Sequence, residues 1–201
     1  LSQSMQLRRL PGTDLDLSVV GFGCWAIGGQ YWGDDVRDGD SAAAIEAALD
    51  VGINWFDTAP LYGHGHADRV LVGSLGSRRN DVIIATKVGV RFGGAGEHAS
   101  SDLSASHISA DIDATLQRLG LDHIDLLQVH WPCQLQTPLA ETMAALERAR
   151  GAGKVRYVGL CNYNAAGLRS AADHGLIHSL QTPYSMLRRE FEGELRDVCV
   201  A

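Results

Sequence analysis

The chain has 201 residues, 45% of them apolar and 20% charged, which is enough to bury a sizeable core in a single domain and too apolar for disorder. Seventeen Lys+Arg against 24 Asp+Glu leave a net charge of −7. With no basic stripe to neutralise phosphates, nucleic acid is not an expected partner. The longest uncharged apolar stretches, Phe22 to Gly29 and Val82 to Thr86, fall well short of the ~18 residues of a membrane span, so no membrane partner is expected.

In chain order, Met5 to Leu10 and Leu15 to Ser18 flank the turn cluster Pro11-Gly12-Thr13-Asp14 and predict a hairpin over 5–18. Residues 1 to 4, ahead of Met5, read as an expression remnant. Val19 to Gly23 predicts a short apolar strand. The glycine-rich loop Gly28-Gly29-Gln30-Tyr31-Trp32-Gly33 leads from it to Asp40-Ser41, the expected N-cap of a helix over Ala42 to Val51. Strand and helix then alternate. Strands are predicted at Asn54 to Asp57, Val82 to Lys87, Ile124 to His130, Val155 to Gly159 and Ser179 to Thr182. Helices are predicted at Ala67 to Leu75, Ser106 to Leu119, Leu139 to Ala152, Ala165 to His174 and from Glu192 to the end. The strands are nearly continuous in hydrophobicity, as strands buried on both faces are.

Six β/α units at roughly 31 residues each match the spacing of a TIM (β/α)8-type barrel. The expected fold is therefore such a barrel truncated to about six units, in one domain over 1–201 that is incomplete at its C-terminus. An open doubly wound sheet is the rival, supported by Gly21-x-Gly23-x-x-Ala26 after the first strand. That fingerprint needs a helix opening on its last small residue, whereas here loop-forming residues follow. The four cysteines, Cys24, Cys133, Cys161 and Cys199, have no C-x-x-C spacing and read as reduced thiols. Leu1 to Arg9 contains no apolar signal region, so the expected location is cytoplasmic.

In a parallel barrel the chemistry gathers at the carboxyl ends of the strands. Three consecutive apolar runs close on Asp57, Lys87 and His130, and period-two alternation allows all three to face one cavity. Lys87 is one of only two lysines beside 15 arginines, an ammonium where the chain otherwise writes guanidinium. A buried ammonium needs a counter-charge, which Asp57 provides. Five residues past Asp57, in a loop, stands Tyr62. A nearby ammonium lowers the pKa of a phenol, so Lys87 is expected to make Tyr62 a better acid toward a carbonyl that His130 orients. Taken singly, Asp57 and Lys87 read as a structural ion pair and His130 as a core histidine; together with Tyr62 they read as a site. His64-x-His66 with Asp68, and the cysteines with His130, lack the spacing of a metal site, and no metal is expected.

These residues lie in six ordered motifs: Gly21-Phe-Gly-Cys-Trp25, Phe56-Asp-Thr-Ala-Pro-Leu-Tyr62-Gly63, Ala85-Thr-Lys87, Leu127-Gln-Val-His130-Trp-Pro132, Gly159-Leu-Cys-Asn162 and Gln181-Thr-Pro-Tyr184. In this the sequence resembles the aldo-keto reductases. The resemblance implies a (β/α)8 barrel that reduces aldehydes or ketones with NADPH. It implies a catalytic set of Asp57, Tyr62, Lys87 and His130, with Tyr62 the proton donor. Cofactor positions would be Cys24, Trp25, Asp57, Cys161, Asn162 and Gln181, and Trp32 and Trp131 would wall the substrate pocket; Trp55 reads as core. Two features depart from the family pattern. Cys161 replaces the usual serine, and the last two β/α units, which carry the cofactor's phosphate pocket, are absent. NADP over NAD is thus an expectation from the family, with NADH still open. An alternative is a redox-quiet nucleotide-binding regulatory or scaffold module on the same fold. Open sheet edges would favour a homo-oligomer.

Overall fold

The computed structural model describes residues 5–29, 32, 35–92 and 99–200. Residues 1–4, together with Gln30, Tyr31 and Gly33 of the glycine-rich loop, lie outside the described residues. Strands β1 (Leu7–Arg9) and β2 (Asp16–Ser18) form the expected antiparallel hairpin, with Leu7 opposite Ser18. Then come β3 (Phe22–Gly23), α1 (Asp38–Asp50), β4 (Trp55–Asp57), α2 (His66–Leu75), β5 (Ile83–Val88), β6 (Val90–Arg91), β7 (Ser100–Ser101), α3 (Ala105–Leu119), β8 (Ile124–Val129), α4 (Leu139–Gly151), β9 (Val155–Cys161), α5 (Ala165–Ala172), β10 (Ser179–Gln181) and α6 (Glu194–Val200).

The main sheet is all parallel, in the order β3-β4-β5-β8-β9-β10. Its strands lie in strict chain order, so the sheet has no reversal at which a doubly wound fold would bind its ligand. After β3 only a short 3-10 turn, Ala26–Gly28, forms, and the weak dinucleotide fingerprint falls with the rival architecture. The result is a barrel wall of six β/α units with helices outside. Helix α3 turns a buried stripe inward, Ile108, Ile112, Thr115 and Leu119, one face at helical spacing. Two apolar clusters fill the space between the layers, one under α1 and α2 around Phe56 and Ile84, the other under α3, α4 and α5 around Leu127 and Leu160.

The hairpin closes the amino end of the wall. Trp55 donates its indole N–H to the Ser18 carbonyl at 2.9 Å, and the Ser18 amide donates to Asn54 Oδ1 at 2.8 Å. Inside the wall lies an open cavity of about 910 Å³, lined by Leu10, Leu17, Trp55, Leu126, Gln128 and Leu180 among others. Among the described residues β3 pairs only with β4, and β10 only with β9.

Several boundaries differ from the sequence expectation. β3 keeps only two residues because Val19 and Val20 stay outside the sheet and half-exposed. β9 runs on to Cys161, since β10 pairs with it through Gln181↔Cys161. Helix α1 begins at Asp38 instead of Ala42, with Arg37 at its N-cap making no side-chain bond and Asp38 and Asp40 in the first turn, where carboxylates suit the helix dipole. The short β6–β7 ladder was not anticipated. No helix among the described residues is long and apolar enough to cross a membrane.

Candidate active site

Asp57 ends β4, and its carbonyl is fixed by the Cys24 amide at 2.8 Å. Lys87, near the end of the neighbouring β5, is only 1% exposed. Its Nζ donates to Asp57 Oδ1 at 2.5 Å and to the Thr58 carbonyl at 3.2 Å. An ammonium so buried is tolerable only with such partners. Two glutamines complete the shell of the carboxylate: Gln128 on β8 donates to Oδ1 at 3.4 Å, and Gln181 on β10 donates to Oδ2 at 3.2 Å. The Cys161 thiol lies 3.5 Å from Gln128 Oε1 and 3.3 Å from Gln181 Oε1.

Tyr62 is carried by the turn after β4. Its amide donates to the Ala59 carbonyl at 3.0 Å, and the turn closes through Gly63 and His64, both at positive φ. Glycine is required where the loop after β3 meets this turn: a Cβ on Gly28 would stand 2.7 Å from Gly63 N. Below the turn, Thr58 Oγ1 donates to Asp68 Oδ1 at 2.6 Å, and Arg118 Nε holds Oδ2 at 2.6 Å. This buried pair pins α2 and α3 to the end of β4. It also engages Asp68, while His66 meets Asp38 at 2.7 Å; no group of three metal-capable side chains occurs among the described residues.

His130 follows β8 and donates its amide to the Val88 carbonyl at 3.1 Å. Its ring stacks on Trp131 with centroids 4.2 Å apart and meets the Tyr62 ring edge-on at 6.1 Å. Nδ1 is buried with no partner. Burial, reinforced by the Lys87 charge, holds the imidazole pKa down at about 3, so the ring is neutral at neutral pH and can donate only from one nitrogen. Asn162, at φ 63, donates its side-chain amide to the His130 carbonyl at 2.9 Å, and its backbone amide to the Gln181 carbonyl at 3.0 Å. Trp25 lies 6.5 Å from the Tyr62 ring and meets Trp32 edge-on at 5.5 Å.

Tyr62 departs from the sequence expectation. Burial, and after it the negative charge of Asp57, pushes the phenol well above its ordinary value. The ammonium expected to acidify it is engaged at 2.5 Å by Asp57 and is not among the causes of the shift, which loss of water around the ring dominates. The phenol therefore keeps its proton at neutral pH, the form a proton donor must have. The buried thiols follow the same rule. Burial raises Cys24, and it raises Cys161 to about 12, so both remain protonated and neither is poised as a nucleophile.

Asp57, Lys87, Cys161 and Gln181 thus form one hydrogen-bonded group, and Tyr62, His130, Trp25, Trp32 and Trp131 form one run of rings. Asn162 ties the two groups together. Cys24 touches the set through its backbone. Sequence reasoning missed Gln128 and the Thr58–Asp68–Arg118 support. An amide inside the apolar run Leu126-Leu127-Gln128-Val129 was the available signal for the first.

A family model described as the aldo/keto reductase family matches residues 19–201. An aldo-keto reductase of Bacillus subtilis (strain 168) is 33% identical over 190 residues, covering 94% of this chain and 56% of that protein. A protein of Escherichia coli (strain K12) named NADH-specific methylglyoxal reductase is 36% identical over 203 residues, covering 93% and 61%. The solved structure of a glycerol dehydrogenase from Gluconobacter oxydans superposes with a TM-score of 0.87 at 33% identity, covering 96% of this chain and 60% of that one. The chain spans about three fifths of the length of these relatives. Strand order, site geometry and these likenesses agree: the chain belongs to the aldo/keto reductase family.

Proposed function

We propose that the site reduces the carbonyl group of a small aldehyde or ketone to an alcohol, with Tyr62 as the proton donor. The observation that carries this reading is the buried Asp57–Lys87 pair at the strand ends, 2.5 Å across, beside a protonated phenol and a neutral imidazole. Tyr62 gives its proton to the carbonyl oxygen as negative charge develops there. Lys87, anchored by Asp57, stabilises the phenolate that remains, an interaction stronger in the transition state than before it. His130 orients the carbonyl by a hydrogen bond from its neutral ring.

A bound nicotinamide dinucleotide supplies the hydride. The residues at hand fit one. Asn162 leaves its amide oxygen without a partner among the described residues, and Gln181 leaves one amide hydrogen so, a complementary pair for a carboxamide. Cys161 steadies Gln181, and Trp25 stands beside Tyr62, whereas Cys24 is fully buried and meets the site only through its backbone. Trp32 and Trp131 flank the space beside Tyr62 and His130 that a substrate would enter. NADPH is the cofactor the family resemblance suggests, and the NADH-specific name of one relative makes NADH the necessary comparison.

The test is Tyr62→Phe in the full-length protein, following carbonyl-dependent oxidation of NADPH and of NADH. Turnover is expected to fall by at least about 100-fold, the lower range for loss of a general acid, while nucleotide binding changes by less than about twofold. Turnover near the unaltered rate overturns the assignment. Nucleotide binding with no turnover by the unaltered chain supports the redox-quiet module instead.

A further inference from the structure

Strand β8 is apolar except at Asp125 and Gln128. Asp125 has a structural use: it accepts from the Ile84 amide and from Arg156. Gln128 has no such use, yet it is 2% exposed and lies in the barrel interior near Trp55, Leu126 and Leu180. An amide in such a place is unfavourable unless both of its ends are hydrogen-bonded. Both are, through Asp57 Oδ1 at 3.4 Å and the Cys161 thiol at 3.5 Å. Gln181 repeats the arrangement on the other carboxylate oxygen, at 3.2 and 3.3 Å.

The chemistry of the groups fixes how both amides face. A carboxylate can only accept, so each NH2 must point to Asp57. The thiol stays protonated and shares its single hydrogen between the two amide oxygens. The sheet is cut to hold this group. In register, Lys87 lies beside Gln128 and Gln128 beside Gly159, and a Cβ on Gly159 would come within 3.1 Å of Gln128 Cγ. Such a Cβ would meet Ser179 Oγ first and would press the glutamine aside by a few tenths of an ångström.

We propose that Gln128 is a positioning residue for the Asp57–Lys87 pair, acting with Gln181 and Cys161 as an uncharged cradle that holds both carboxylate oxygens. The proposal rests on the carbonyl-reduction reading and deepens it. In that reading Gln181 is shared between Asp57 and the carboxamide of the cofactor, so Gln128 is the donor that stays on Asp57 throughout. Its loss should disturb the proton-donating step more than nucleotide binding.

The chain contains two lysines, which makes the pair directly visible. Lysine labelled with 13C at Cε gives two NMR signals, assigned by the loss of one in Lys154→Arg. In Gln128→Leu, close in volume and unable to donate, the Lys87 signal is expected to move by more than its line width while that of Lys154 stays. The melting temperature should hold within about 2 °C or rise, because an apolar group replaces a buried amide. With a carbonyl substrate, kcat should fall about tenfold, equivalent to about 1.4 kcal/mol, with the nucleotide KM within about twofold.

An unmoved Lys87 signal overturns the proposal. So does a rise in KM without a fall in kcat, and so does a melting temperature lower by more than about 5 °C, which would make Gln128 a structural residue only. Absence of carbonyl reduction in the unaltered chain rejects the function and leaves the cradle to be decided by the Lys87 signal and the melting temperature.

Discussion

Lys87 and Lys154 each meet a carboxylate at 2.5 Å, Asp57 and Asp113 respectively, and by distance alone the two pairs are the same. Their surroundings are not. The side chains of Lys87 and Asp57 are 1% and 12% exposed, those of Lys154 and Asp113 40% and 54%. At the surface, water and salt screen the attraction, and ordering two long side chains offsets much of it. At the strand ends neither charge can be left alone, and two further amides and a carbonyl also bond the pair. Burial, more than separation, is what distinguishes the two pairs.

The largest effect expected is on folding. Lys87→Met leaves Asp57 buried without its cation and should lower the unfolding free energy by about 3–5 kcal/mol, measured by denaturant melts. A loss below about 1 kcal/mol would erase the contrast with Lys154.

The second effect concerns pH. Because the pKa of His130 is held at about 3, below its ordinary 6.5, the unfolded chain takes up this proton first as pH falls. The stability due to the neutral ring is complete above about pH 6.5 and is lost as pH drops toward about 3, with a slope of up to about 1.4 kcal/mol per pH unit. Denaturant melts of His130→Gln across this window should show a shallower decline than the unaltered chain; parallel curves would contradict the neutral, buried ring. The smallest effect is Lys154→Met, which should change stability by no more than about 1 kcal/mol.

Much of this was legible in the sequence. Polar residues that close apolar runs are conspicuous, and Asp57, Lys87 and His130 were found in that way, as was the need of Lys87 for a counter-charge. The strand-helix rhythm also yielded every parallel strand. What escaped had weaker signals. The ladder of Val90–Arg91 with Ser100–Ser101 is two residues long on each side, too short for any periodicity. The start of α1 at Asp38 lacks a side-chain cap. The direction of the Tyr62 shift depends on how much water the fold removes from the ring, and residue spacing carries no measure of that. Gln128 was visible only as one amide in an apolar strand, which has no meaning until its partners are known.

The most direct measurement is the rate of carbonyl-dependent NADPH or NADH oxidation by Lys87→Met and Lys154→Met, side by side with the unaltered chain, at a temperature where circular dichroism shows all three folded. A loss of at least about 100-fold at Lys87, with Lys154→Met within about twofold of the unaltered rate, is the predicted result. Equal rates in the two variants would contradict a chemical role for the buried pair.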